Sequence, residues 1–305
     1  MTMINNEIIE YNVSKEDILS RADLFIKNKF IQFSRSQIKK LIDNKYITIN
    51  SYPIKASTDI KRNDLIKIIV PQEQKNTLTP SELKLEILYQ NSDLLIINKP
   101  FGIVVHPSKG HLNDTIINAL LGMDIEFEPT LGERKPLLVH RLDKDTSGLL
   151  LVAKNERAYK YLSGIQKKRE IKKYYLAVVN GIPKKKYATI DAPISRNKSQ
   201  RKKMNVSSDG RESMTTYKVL QSSNKMSLLE LELHTGRTHQ IRVHMQAIGH
   251  AVIGDELYGK KSKLANRQML HAYKLEFTDS IKNIISITNE PEKDMKEFIE
   301  FYFNN

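Results

Sequence analysis

Apolar positions recur first with a helical and then with a strand period over the first 70 residues of the chain. DILSRADLFIKNKF, residues 17–30, has the helical spacing, at Ile18, Ala22, Phe25 and Ile26. SRSQIKKLIDNK, residues 34–45, has the same period, and Ser34 is placed to cap it. Two β-prone runs, YITIN and DLIKIIV, follow around the turn NSYP. The pattern predicts a small α+β domain over residues 1–70.

A polar segment without either period follows this domain. PQEQKNTLTPSE, residues 71–82, is bracketed by Pro71 and Pro80 and is typical of a connection between domains. It predicts a linker, with a second and larger domain over residues 83–305.

The larger domain shows short strands separated by single helices. The strand candidates are LKLEILY, LLIIN, GLLLVA, KKYYLAVV, LLELELH and MLHAYKLEF, and the helix candidates between them are DTIINALL, NERAYKYLSGI and THQIRVHMQAI. Because strand hairpins outnumber strict strand-helix-strand alternations, the pattern predicts an α+β fold on a mixed, largely antiparallel sheet.

Composition narrows the class of protein. A formal net charge of +14 over 305 residues points to a polyanionic partner, although a chain this rich in Lys, Asn and Ile acquires some of that charge from coding bias. The absence of cysteine excludes disulfides and thiolate chemistry. Neither a secretory signal nor a membrane span is recognisable, because the first twenty residues include Glu7, Glu10 and Glu16 and no apolar run is long enough. We expect a soluble, cytoplasmic protein.

The second predicted helix has a basic face. Arg35, Lys39 and Lys40 lie on the side opposite Ile38, Leu41 and Ile42. Such a face is typical either of contact with RNA phosphates or of a solvated helix surface, and charge alone does not separate the two interpretations.

The stretch VHRLDKDTSGLLLVAKN, residues 139–155, places Asp143 at a turn that enters a buried strand. For a lone aspartate, local hydrogen bonding in the turn is the usual role. Functional residues are nevertheless often carried by loops at strand ends, and a carboxylate is among the few nucleophiles open to a chain without cysteine.

A second polar cluster, LHTGRTHQIRVHMQAIGH, spans residues 233–250. Its histidines argue only weakly for zinc, because His239 and His244 are five positions apart rather than three or four, and we predict no metal site. Arg237 and Arg242 are better suited to an anion, either a phosphate or a catalytic carboxylate.

Taken together, the segments are more specific than any one of them. NKPFGIVVHPSKG, VHRLDKDTSGLLLVAKN and TGRTHQIRVHMQAIGHAVIGDELYG resemble, in order and spacing, the motifs of the RluA-type pseudouridine synthases, and KKYYLAVVNG and RQMLHAYKLEF add to the resemblance. Arg21, Asp23, SRSQIKKLI, ITIN and DLIKI resemble the S4-type RNA-binding domain. Lys45 and Ser51 depart from that domain, which usually has glycines there. The combination looks like the RluD-like branch.

The resemblance implies isomerisation of uridine to its C-glycoside, without a cofactor, in structured RNA and specifically in large-subunit ribosomal RNA, by a monomer. It assigns catalysis to Asp143 and implies that the target base leaves the RNA helix. Arg141 then enters the space left by the base, Tyr175 stacks on the uracil and Ile241 packs against it. Arg242 pairs with Asp143, with Arg237 as the alternative.

Two questions stay open at this level. Asp143 can attack the ribose carbon, attack the base, or abstract a proton from the ribose. A different class of function is also compatible with the fold, namely a catalytically idle RNA-binding factor in ribosome assembly.

Overall fold

The computed structural model describes residues 7–70, 78–108, 110–130, 133–134, 136–223, 225–260 and 264–303. The chain divides into two compact units, Met1–Thr77 and Leu78–Asn305. This division falls within the predicted linker 71–82, of which residues 71–77 lie outside the described part. The last residues of that segment, from Leu78, belong to the second unit, where the Ser81 N–H donates to the carbonyl of Asn118.

The first unit packs two helices against a four-stranded antiparallel sheet of strand order β1-β4-β2-β3. Its elements are β1 (Glu7–Asn12), α1 (Ala22–Lys29), α2 (Arg35–Asp43), β2 (Ile47–Ile49), β3 (Tyr52–Pro53) and β4 (Leu65–Val70). Ser34 caps α2 in a capping box with Gln37, and Ile38 and Ile42 are buried on its inner face. The expected arrangement of two helices and a small sheet is confirmed; β1 joins the sheet in addition to the predicted strands.

The first helix begins later than its apolar period predicted. Residues 17–20 lie outside α1, and Ile18 is 89% exposed. Arg21 has an extended backbone and forms an isolated β-bridge with Asp59, so the chain turns into the helix only at Ala22. The prediction of a helix from residue 17 is therefore wrong, because the backbone of that stretch pairs with a neighbouring loop.

The second unit is built on one ten-stranded sheet, in the order β12-β15-β16-β11-β17-β10-β6-β5, with β18 beside β17 and β9 beside β10 in the described chain. Its strands are β5 (Glu86–Gln90), β6 (Leu94–Lys99), β7 (Pro129–Thr130), β8 (Glu133–Arg134), β9 (Leu137–Leu138), β10 (Ser147–Ala153), β11 (Lys172–Asn180), β12 (Tyr187–Asp191), β13 (Ile194–Arg196), β14 (Met204–Val206), β15 (Met214–Ser223), β16 (Met226–Leu233), β17 (Leu270–Thr278) and β18 (Ile284–Thr288). Its helices are α3 (Ile116–Leu121), α4 (Glu156–Lys167), α5 (Gln240–Ala247) and α6 (Lys293–Phe303).

The pairing of the sheet confirms the predicted α+β fold class. Every described pairing in it is antiparallel except β10 with β17, which run parallel over Ser147 and Gly148. All seven residues of β10 are buried, which explains its continuous apolar run. The α4 helix, capped by Asn155, covers one face of this central strand.

The junction of the three central strands places the site. Gly148 of β10 pairs with Ala272 of β17, and Ala272 pairs with Tyr175 of β11. Gly148 has a φ of +109°, and a Cβ there would lie 2.2 Å from the Ala272 carbonyl oxygen. Glycine is therefore required for the two strands to approach, and this approach brings the turn before β10 next to Tyr175.

Candidate active site

A buried lysine donates hydrogen bonds to the backbone of the turn that carries Asp143. The Lys99 Nζ, at the end of β6, donates to the carbonyl oxygens of Pro100, Lys144 and Thr146 at 2.7, 3.0 and 2.9 Å. Burial lowers the pKa of Lys99 to about 7, but three accepting carbonyls favour the ammonium form with its three hydrogens. Lys99 thus stabilises the backbone on both sides of the turn.

Asp143 contacts Arg242, which lies in the first turn of α5. The Arg242 Nη1 donates to Asp143 Oδ2 at 2.8 Å, while its Nε and Nη2 donate to the two carboxylate oxygens of Asp255 at 2.7 and 2.9 Å. Burial alone would lower the pKa of Arg242, but the hydrogen bonds with Asp255 and the charge of Asp143 raise it above its usual value. The guanidinium is permanently charged, and it presents one edge to each carboxylate.

Two buried side chains form apolar walls beside the carboxylate. Tyr175 is 5% exposed and Ile241 is 4% exposed, and both line the same cleft as Asp143. Burial, followed by the negative charge of Asp143, raises the pKa of Tyr175 well above its usual value. The phenol therefore stays protonated at neutral pH, and its ring offers a flat surface to a planar ligand.

The cleft has a volume of about 210 Å³, and the structure brings together all five residues predicted for it. Arg141 is exposed at the turn, free to project from the protein. Arg237 also lines the cleft, but its Nε donates to the Glu212 carbonyl at 2.9 Å. Of the two candidate arginines, Arg242 is the one that contacts Asp143.

Two further polar residues, Lys173 and His140, line the cleft. Lys173, 4% exposed, donates from Nζ to Gln166 Oε1 at 2.9 Å, and burial lowers its pKa to about 8. Burial, assisted by the charge of Lys173, lowers the pKa of His140 to about 3. His140 Nε2 accepts the Leu151 N–H at 3.0 Å, which requires a neutral ring. The predictions from sequence missed both residues, although His140 lies within VHRLDKDTSGLLLVAKN and Lys173 within KKYYLAVVNG.

Sequence reasoning also missed three residues on the Arg242 side, namely Asp255, Tyr258 and His239. The Tyr258 ring lies 5.1 Å from the Arg242 guanidinium carbon, and its hydroxyl lies 2.8 Å from His239 Nδ1. The motif GDELYG contained Asp255 and Tyr258, but spacing alone does not show that they contact Arg242.

The predicted RNA-contacting residues lie on the first unit. Arg35, Lys39 and Lys40 are exposed on α2, and Lys39 forms an ion pair with Asp43 at 3.0 Å. Within the described residues, no cluster of three or more His, Asp or Glu side chains is arranged to hold a metal ion. No helix in the described part of the chain is long and apolar enough to cross a membrane.

The arrangement defines the chemistry that the cleft supports. Among the described residues, Asp143 is the one carboxylate that lines the cleft. Asp255 is fully buried, and both of its oxygens accept hydrogen bonds from Arg242. One carboxylate beside an aromatic and an aliphatic wall fits a flat, neutral ring attached to a group that the carboxylate attacks or deprotonates. The acid and base pair of a typical glycoside hydrolase is not formed by these two aspartates.

Comparisons with known proteins agree with this chemistry. The family described as RNA pseudouridylate synthase matches residues 93–247. A relative in Aquifex aeolicus, named an uncharacterized RNA pseudouridine synthase, is 37% identical over 268 residues, covering 87% of this chain and 84% of that protein. A relative in Borreliella burgdorferi, named ribosomal large subunit pseudouridine synthase D, is 38% identical over 284 residues, covering 89% and 87%.

A solved structure shares the fold over most of this chain. Human RNA pseudouridylate synthase domain containing 1 superimposes with a TM-score of 0.57 at 29% identity, over 69% of this chain and 85% of the human one. The family match, the long alignments and the placement of Asp143 at the predicted turn lead to one conclusion: this chain belongs to the RNA pseudouridylate synthase family.

Proposed function

We propose that this protein isomerises specific uridines of large-subunit ribosomal RNA to pseudouridine, acting in the cytoplasm as a monomer without a cofactor. Relatives in Borreliella burgdorferi and Zymomonas mobilis carry the name ribosomal large subunit pseudouridine synthase D, which supports this substrate. The observation that carries the proposal is the 2.8 Å contact of Asp143 with Arg242 in a cleft walled by Tyr175 and Ile241. The idle assembly factor has no support in the comparisons.

In the proposed reaction, the glycosidic bond breaks while Asp143 faces the ribose and the uracil. Cleavage builds positive charge on the ribose and negative charge on the uracil, so the carboxylate stabilises or traps the sugar, removes a proton from it, or adds to the ring. Arg242 holds the carboxylate in one orientation, which reduces the reorganisation needed during the reaction. The base then rotates and its C5 bonds to the ribose C1′, which releases any bond made to Asp143; C5 loses its proton and N1 gains one, so that the product is an isomer of uridine.

The target base must first leave the RNA helix, at a cost of a few kcal/mol. We infer that Tyr175 and Ile241 offset this cost by enclosing the uracil, since base–aromatic stacking contributes about 1–3 kcal/mol. The exposed Arg141 fills the space that the base leaves. Arg35, Lys39 and Lys40 contact RNA phosphates from the first unit.

The test is position-resolved mapping of pseudouridine in ribosomal RNA from cells with and without the protein. Asp143→Asn should abolish the mapped modifications, a loss of at least about 1,000-fold in rate, while RNA binding is retained, with affinity lowered by no more than about tenfold. Asp145→Asn is the matched control, because Asp145 is exposed in the same turn. Wild-type product formation by Asp143→Asn would remove Asp143 from the mechanism.

A further inference from the structure

His239 faces the catalytic aspartate across the cleft. Its Nε2 lies 3.9 Å from Asp143 Oδ2, which is too far for a direct hydrogen bond. The two side chains are 20% and 19% exposed, so both remain open to a ligand. The pair therefore leaves a gap with nitrogen on one side and a carboxylate oxygen on the other.

The hydrogen-bond partners of Tyr258 favour one tautomer of His239. The Tyr258 hydroxyl accepts the Met204 N–H at 2.7 Å, which leaves its own proton to donate to His239 Nδ1 at 2.8 Å. With Nδ1 as the acceptor, the hydrogen of the neutral ring is on Nε2 and points toward Asp143. Burial lowers the pKa of His239, which favours this neutral form near pH 7.

A donor and an acceptor at this separation suit one chemical group. A hydroxyl oxygen about 2.8 Å from each atom accepts from the Nε2–H and donates to the carboxylate. A carbonyl oxygen cannot donate to Asp143, and an N–H cannot accept from His239. A single bridging atom contributed by a bound nucleotide must therefore belong to a hydroxyl.

The chemistry of the reaction identifies the hydroxyl. Each of the three possible routes places Asp143 at the glycosidic end of the nucleotide, at the ribose carbon, the adjacent ribose proton or the ring carbon next to the bond. The N–H edge of the uracil lies across the ring from this end. The neighbouring hydroxyl is the 2′-hydroxyl, the group that distinguishes RNA from DNA.

We propose that His239 and Asp143 together bind the 2′-hydroxyl of the target nucleotide, so that the site itself selects a ribonucleotide at the position to be isomerised. This inference rests on the proposed function, because it takes uridine in RNA as the substrate. It makes His239 a substrate-binding residue and Tyr258 the residue that sets its tautomer.

The test compares two RNAs with four forms of the full-length protein, the wild type and three variants. Both RNAs are fragments spanning one mapped target site, one with uridine there and the other with 2′-deoxyuridine at that single position. Affinities are measured on ice by filter binding, before turnover. The wild type should prefer the uridine RNA by about tenfold, the range expected for a hydrogen bond to a charged group.

The variants separate hydrogen bonding from folding. In His239→Asn the amide nitrogen stops short of the Nε2 position, and asparagine tolerates the left-handed backbone found there, with a φ of +56°. Its preference for uridine RNA should fall to about twofold, with affinity for the deoxyuridine RNA unchanged. His239→Gln extends an N–H to the Nε2 position and should restore most of the preference.

A third variant checks the tautomer. Tyr258→Phe keeps the ring beside Arg242 but removes the proton that Nδ1 accepts, and it should reduce affinity for the uridine RNA alone. Equal loss for both RNAs in His239→Asn, or a wild type without preference, overturns the inference. Pseudouridine formation by the wild type on the uridine RNA is scored in parallel, so a failure of the proposed function appears there and a failure of hydroxyl recognition appears only in the affinities.

Discussion

At the scale of single residues, three charged side chains of the site contact one another in series, from Asp255 through Arg242 to Asp143. Asp255 binds Arg242 through two hydrogen bonds, and Arg242 leaves one nitrogen for Asp143. The Asp255 side chain is fully buried, and we infer from its two contacts that it orients Arg242. Removing the inner carboxylate should therefore disturb catalysis without removing any group that faces the cleft.

We expect Asp255→Asn to lower kcat about 10- to 100-fold, since the amide keeps the shape but loses the charge that holds Arg242. KM for RNA should change by less than about threefold. Glu256→Gln, at the neighbouring exposed position, is the control and should behave as the wild type. Steady-state assays with a mapped RNA fragment measure kcat and KM, and equal losses in the two variants would contradict the positioning role.

Backbone strain is a second feature at this scale. Lys45 and Ser51, which stand where the S4-type domain usually has glycines, have φ values of +61° and +71°. Side chains other than glycine are unfavourable in this region by roughly 1–2 kcal/mol. The departure from the domain's usual residues thus has a direct cost in the structure.

Lys45→Gly and Ser51→Gly should each stabilise the first unit by about 1 kcal/mol, less the greater flexibility that glycine gives the unfolded chain. Hydrogen exchange of amides in the first unit of the full-length protein measures the change. Lys40→Gly, within α2, serves as the opposite control and should destabilise by about 1 kcal/mol. Destabilisation by all three variants would mean that the two turns are not strained.

At the scale of elements, the parallel contact of β10 with β17 determines where the turn that carries Asp143 lies. The turn precedes β10 and lies at the junction of the central strands, because Gly148 allows their backbones to approach. Ser147 Oγ forms a hydrogen bond with His271 Nδ1 at 2.9 Å across the same junction. The packing of β10 against its neighbours therefore determines the position of its first residue, Ser147, and of the turn before it.

Gly148→Ala should destabilise the second unit by more than about 3 kcal/mol, because the φ of +109° and the 2.2 Å approach to Ala272 both oppose a Cβ. Gly164→Ala is the matched control, since a Cβ in that position of α4 meets nothing within 4 Å. It should stabilise by about 1 kcal/mol. Urea denaturation measures both changes, and similar small effects would contradict the close packing.

At the scale of the whole molecule, a net charge of +14 is distributed over two units, each with its own buried core. The second unit contains the cleft, and the first contains the basic face of α2. In a protein that acts on RNA, such a face favours phosphate contact over a merely solvated surface, and salt dependence distinguishes the two.

The double variant Arg35→Gln, Lys39→Gln should lower the slope of log affinity against log salt by about 1 to 2, roughly one for each phosphate that the variant no longer neutralises. The chemical step should be unchanged. Lys55→Gln with Lys61→Gln removes the same charge from exposed positions away from α2 and should leave the slope nearly unaltered. Identical slopes for both pairs would mean that α2 does not contact RNA.

Local pattern was sufficient for elements whose stability is local. Ser34 and Asn155 cap α2 and α4 as the sequence indicates, and the apolar run of β10 is buried throughout. These features depend on residues a few positions apart, which periodicity and capping rules report directly. The same rules were wrong for Ile18, because a β-bridge of Arg21 with a distant loop decides where α1 begins.

The functional contacts depend on packing between distant segments. Asp143 and Arg242 are 99 positions apart, and both arginines of the motif have the right charge. The choice between them follows from packing, since Arg242 lies on α5 beside Asp143 whereas Arg237 precedes α5 and donates to the Glu212 carbonyl. Asp255, Tyr258 and His239 act through contacts that no spacing encodes. The sequence by itself determines which residues are present and in what order, whereas their hydrogen-bond partners follow from the strand order that brings β10, β17 and β11 together.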